Sequence, residues 1–224
     1  MHCLSIILNI VMFPIYARSL QSLISLPLGN IERNMMRIRS LSSLFSVATA
    51  DIEFYNEQTA LTNINEERLK GTVERIRSVL GYDNYSVSLM LLEDEEMQTI
   101  NKDTREIDAP TDILSFPMHD AIEAGILEKP QFDIPDLYCL GEMLIDVPYV
   151  IRRCKDDEEW EYEEEDGGGV SGAMAEVFDP EKRLHMLLVH GMLHLVGYDH
   201  IDDKDFSLMV AKEEELLKEL GLLP

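Results

Sequence analysis

Between residues 190 and 200 the chain reads His-Gly-Met-Leu-His-Leu-Val-Gly-Tyr-Asp-His, and this run restricts the fold more than any other. Upstream, Asp179-Pro180-Glu181 has the form of a helix start: Asp caps, Pro suits the first helical position, and Glu favours the positive end of the helix dipole. The spacing predicts a helix from there to about Val196, ended by Gly197. A four-residue step turns about 40° around a helix, so His190 and His194 leave one face a turn apart. Their nitrogens can then reach one zinc ion at about 2.0–2.1 Å. Gly197 tolerates a positive φ and lets the chain turn, so that His200 returns to the same point. Three neutral ligands leave a fourth position for water, the arrangement of a catalytic metal site. We therefore expect one zinc per chain, held by His190, His194 and His200.

The same offsets occur in the zinc-protease pattern H-E-x-x-H-x-x-G-x-x-H, but Gly191 stands where those enzymes carry their general-base Glu. Its absence argues against proteolysis and leaves metal binding intact. His185 lies about 140° around the helix from His190 and is expected to be a satisfied surface or core histidine. His2 and His119 are assigned no role.

Charge divides the chain. Residues 1–50 carry four arginines, no lysine and one acid, a net +3, whereas residues 51–224 carry −27. The first stretch is rich in Ser and Leu and poor in acids, the composition of an organellar transit peptide, and is excluded from the fold as a leader that is removed or disordered. A secretory or bipartite leader, or a folded segment, are the other readings of it. The net charge of −24 over 224 residues excludes a generic basic nucleic-acid binder. Three cysteines make no disulfide framework. No apolar run is long enough to span a membrane.

In residues 51–224, alternation predicts strands at 51–56, 85–92 and 140–147, and a further apolar stretch covers 111–116. Helices are expected at 63–80, from Asp94, at 179–196, and from Asp202 or Asp203 to Leu220. Intermixed helices and strands imply an α+β or α/β layer fold. Gly141, central in its strand, permits close approach to the backbone. Two stretches read as insertions, 119–138 and 156–179. The second opens with nine acids in the eleven positions 156–166, expected to be a solvated surface loop, with a docking peptide for a basic partner as the other reading.

A further segment, Asn101 to Pro117, reads NKDTREIDAPTDILSFP. Its Arg105 could hold a phosphate through two parallel hydrogen bonds; on spacing alone, a surface ion pair is the alternative.

Together these residues resemble the YbeY family of zinc-dependent endoribonucleases of ribosome biogenesis. The histidine block matches that family's H-G-x-L-H-L-x-G-Y-D-H at every specified position. Arg105 to Pro117 resembles its R…PT(D/N)VLSFP element, and Leu140-Gly141-Glu142-Met143-Leu144-Ile145 its L-G-D-I-x-I strand, with Glu142 in place of Asp. The resemblance spans roughly residues 51–224. It implies an α+β fold with a small central mixed sheet beneath the metal-bearing helix. It implies a single-strand-specific endoribonuclease that matures the 3′ end of small-subunit ribosomal RNA and serves ribosome quality control. It makes His190, His194 and His200 the zinc ligands and Arg105 the phosphate-handling residue. The implied partners are ribosomal RNA, the small ribosomal subunit and, from the acidity, a basic ribosomal protein. The leader points to an organelle's ribosome, mitochondrial or alternatively plastid. Two other readings are a non-catalytic assembly factor with a structural zinc and a metal hydrolase acting on another substrate.

Overall fold

The computed structural model describes residues 50–58, 64–159, 169–174 and 176–223. The described residues lie in one compact unit, Ala48–Pro224. The leader expected at 1–50 lies outside the described residues except for Ala50.

A four-stranded mixed sheet forms the centre, in the order β1 (Ile52–Asn56), β2 (Ser86–Leu92), β6 (Cys139–Asp146), β3 (Ile113–Pro117). The first three are parallel and β3 runs antiparallel to β6. Alternation sends side chains to two faces. Val87, Leu89, Leu91, Ile113, Met143 and Ile145 pack on one face with helices α1 (Glu66–Val79), α5 (Pro180–Leu195) and α6 (Asp203–Leu220). Leu92, Leu114 and Leu144 form a smaller cluster on the other face with Met97 of α2 (Asp94–Arg105). Helix α3 (Val147–Glu159) follows β6 directly, and α4 (Gly169–Met174) is a short turn before α5.

Local signals set most boundaries. Asn65 caps α1 by accepting from the Arg68 N–H, so the helix begins at Glu66 rather than at residue 63. Asp179 accepts from the Glu181 N–H at the start of α5, and Asp202 caps α6. Gly221 ends α6 with φ +70°. Gly141 takes φ +131°, and a Cβ there would stand 2.1 Å from the Phe116 carbonyl oxygen, so the close approach is that of the neighbouring strand β3.

Both stretches read as insertions hold ordered structure. Residues 119–138 contain a hairpin, β4 (Ala121–Glu123) with β5 (Ile126–Leu127), and a 3₁₀ turn at Pro135–Leu137. Tyr82 stitches the hairpin to the body: its hydroxyl donates to the Gly125 carbonyl (3.0 Å) and accepts from the Leu127 N–H (3.1 Å). The acidic run also begins inside α3, and Asp157 is buried, not solvated. The reason is Arg183 of α5, itself buried, whose Nη1 donates to Asp157 Oδ2 (2.6 Å) while Nε and Nη2 donate to the Val177 and Met174 carbonyls. The rest of the run, residues 160–168, lies outside the described residues.

Asp146, at the end of β6, is fully buried and accepts from the Tyr149 N–H. Burial pushes its carboxyl up to about 6; nearby Asp94 adds to the shift, while the Tyr149 hydrogen bond opposes it. Asp94 itself is held low, chiefly by hydrogen bonding to Arg152. Because the folded Asp146 value lies above the ordinary 3.8, its favourable contribution is fully present below about pH 4 and is lost as pH rises through 6. That interval corresponds to about 3 kcal/mol. Asp146→Asn keeps the acceptor for Tyr149 and removes the charge. It should raise stability at pH 7.5 by about 1–3 kcal/mol and change little at pH 3.5. Urea unfolding at both pH values checks this; an equal change at both would refute it.

Candidate metal centre

Helix α5 is buried along most of its length between the sheet and α1 and α6. Its fit to the sheet depends on Gly191. A Cβ there would meet Ile113 Cδ1 at 2.7 Å, Met143 Sδ at 2.8 Å and Ser115 Oγ at 3.1 Å. The position occupied by the general-base Glu in the protease pattern therefore faces the sheet, where no carboxylate fits.

One residue before and three after Gly191, His190 and His194 emerge half-buried from the same side of the helix, as the spacing predicts. Gly197 then takes φ +87° and the chain brings back the exposed His200. One nitrogen from each of the three rings lies within 4.8 Å of the others. The turn is tight because Ala121 of the hairpin occupies the place a Gly197 Cβ would need, 2.1 Å away. The Gly125 N–H also donates to the Val196 carbonyl (3.0 Å).

The hydrogen bonds of the rings fix which nitrogen faces inward. His194 Nδ1–H donates to the Tyr198 carbonyl (3.0 Å), and His190 Nδ1–H donates to Glu213 Oε1 (2.7 Å). Both acceptors, a carbonyl and a carboxylate, require the proton on Nδ1. The two Nε2 atoms therefore present lone pairs to each other at 3.1 Å. Two lone pairs so close repel unless a cation lies between them. Two ligands about 2.0–2.1 Å from one tetrahedral zinc stand about 3.3–3.4 Å apart, close to this separation. The donor set thus fits zinc. Burial, reinforced by His190 and His200, pushes the His194 imidazole down to about 4, so it is neutral and able to ligate at pH 7.

His185 is buried on another side of α5, with Nδ1 2.8 Å from Thr72 Oγ1, and takes no part in the triad. Glu213 was not foreseen as part of the site. It lies on the apolar stripe of α6 formed by Met209, Leu216 and Leu217, where an acid is out of place; that was the available signal.

Arg105 is the last residue of α2, is exposed, and has no ion pair among the described residues. Helix α2 packs through Met97 on the face of the sheet opposite α5. Its backbone is nevertheless held. Glu106 closes the helix at φ +63°, and the following loop is pinned by Asn101 Nδ2 on the Ala109 carbonyl (2.8 Å) and by Lys102 on Asp108 (2.6 Å). Glu142 neighbours Met143 in β6, so its side chain also points away from the face that carries α5.

The sequence model of the family described as Endoribonuclease YbeY matches residues 52–167 and 171–221. The Endoribonuclease YbeY of Homo sapiens is 30% identical over 158 residues, 70% of this chain and 81% of the human one. That of Halalkalibacterium halodurans is 33% identical over 143 residues, 64% of this chain and 77% of its own length. A solution structure from Thermotoga maritima aligns with a TM-score of 0.43 at 24% identity, covering 76% of this chain and 92% of that one. With a family model that covers most of residues 52–221 and relatives matched over three quarters or more of their length, this chain belongs to the endoribonuclease YbeY family.

Proposed function

We propose that this chain is a zinc-dependent, single-strand-specific endoribonuclease that matures the 3′ end of small-subunit ribosomal RNA and serves ribosome quality control. The observation that carries the reading is the convergence of the His190 and His194 Nε2 lone pairs, with His200 beside them, on a chain whose relatives are named endoribonucleases. Three imidazoles suit zinc, one ion per chain, and leave a coordination position open. When bound, zinc supplies Lewis-acid polarisation to a phosphodiester.

Arg105 is the phosphate-handling residue of this reading. Its planar guanidinium holds a phosphoryl oxygen pair and offsets charge developing there. The strongly acidic remainder of the domain repels RNA, so productive binding rests on local contacts and on positive charge from elsewhere. A basic protein of the small ribosomal subunit is the partner that supplies it. Residues 1–50 address the chain to the mitochondrion, with the plastid as the alternative. No helix among the described residues is long and apolar enough to cross a membrane.

The test is direct. The full chain is stripped with a chelator, reloaded with zinc, and incubated with a single-stranded RNA spanning the small-subunit 3′ end and with a duplex of the same sequence. Internal cleavage of the single strand alone, only after reloading, is the expected result. A zinc-loaded protein that leaves both RNAs intact would exclude the nuclease reading.

A further inference from the structure

Glu213 sits inside the protein, almost fully buried, on a helix with no other part in the centre. Burying a carboxylate costs several kcal/mol unless partners compensate it. The position of this one is set by core packing: Met209 lies one turn before it and Leu216 and Leu217 one turn after, all buried. The side chain consequently has little freedom, and its Oε1 lies 2.7 Å from His190 Nδ1.

That contact has a chemical effect at the far side of the ring. An imidazole with its proton on Nδ1 carries a lone pair on Nε2, the atom that faces His194. The other tautomer would direct a hydrogen into the centre and remove His190 as a ligand. His194 receives the same orientation from a neutral donor–acceptor pair, the Tyr198 carbonyl, whereas His190 receives it from a charged one. A carboxylate behind a ligand also makes that ligand more basic toward a cation.

We propose that Glu213 is a positioning residue of the metal centre: it fixes His190 in the Nδ1–H tautomer and strengthens Nε2 as a ligand. The inference rests on the metal reading above and deepens it by assigning α6 a part in that site. Removing such an outer partner costs about 10–100-fold in metal affinity.

The experiment uses the full chain as wild type, Glu213→Gln and Glu213→Ala. Zinc affinity is measured by competition with a chromophoric chelator, and the tautomer of His190 by two-bond nitrogen–proton NMR on the metal-free wild type at pH 8. The expected results are Nδ1–H at His190 in the wild type, and zinc binding weakened about 10–100-fold in both variants with native circular dichroism. Glutamine retains an acceptor oxygen but no charge, so Glu213→Gln should lose less than Glu213→Ala. Zinc bound equally by all three proteins would overturn the role of Glu213, as would an Nε2–H tautomer in the metal-free wild type. That second measurement needs no variant and stands if a variant does not fold. A wild type that binds no zinc would instead overturn the metal reading itself.

Discussion

His194→Ala is expected to lose zinc and with it RNA cleavage. Replacing a ligand costs more than the about 10–100-fold in affinity lost with an outer-shell partner. The ring is held on one side by the Tyr198 carbonyl and meets His190 Nε2 on the other, so no neighbouring imidazole can substitute for it. Metal analysis of the purified variant and a cleavage time course check this together. The matched control is His185→Ala. His185 is also a buried imidazole on α5, bonded to Thr72 and outside the triad. Its loss should lower thermal stability while zinc content stays at the wild-type level. If His185→Ala lost zinc as fully as His194→Ala, damage to α5 in general would explain both results. Full zinc occupancy in His194→Ala would remove that residue from the centre.

Arg105→Ala is expected to give the second large effect, on cleavage rate. The loss of one well-placed charge-stabilising donor costs on the order of 10²–10³ in rate. The exposed side chain has no ion pair among the described residues, so its removal should leave melting temperature and zinc content unchanged. Arg105→Lys should recover only part of the rate, because an ammonium cannot make the planar two-point contact. Rates and zinc content measured on the same samples decide the matter. A zinc-replete Arg105→Ala protein that cleaves at the wild-type rate would strike Arg105 from the site.

The parts of the fold that sequence reading anticipated are those governed by nearest neighbours. Asp179-Pro180-Glu181 and Asp202 start helices because a side-chain oxygen and a backbone N–H two or three residues on settle the matter locally. The histidine block was legible for the same reason: helical spacing and a turn-permitting glycine act within eleven residues. What escaped depends on partners distant in the chain. Asp157 looks like one more solvated acid until Arg183 is brought against it. The hairpin of residues 121–127 has weak periodicity and is held by Tyr82 and by the end of α5. Glu213 becomes meaningful only when α6 packs on α5 and reaches His190. Gly191 lacks the carboxylate of the protease pattern; its positive reason, the closeness of Ile113, Met143 and Ser115, appears only once the sheet is in place.

Two of the three proposed ligands ride on one helix, while the third hangs from a turn wedged in place by Ala121. The bite of the site is therefore adjustable from outside the ligand set. A bulkier residue at 121, or a hairpin of another length, would move His200 relative to a fixed His190–His194 pair. The quantities to change first would be the exchange rate of the ion and the preference among ions of different radius, with all three histidines still present. Metal lability could thus be set by the hairpin without altering a ligand.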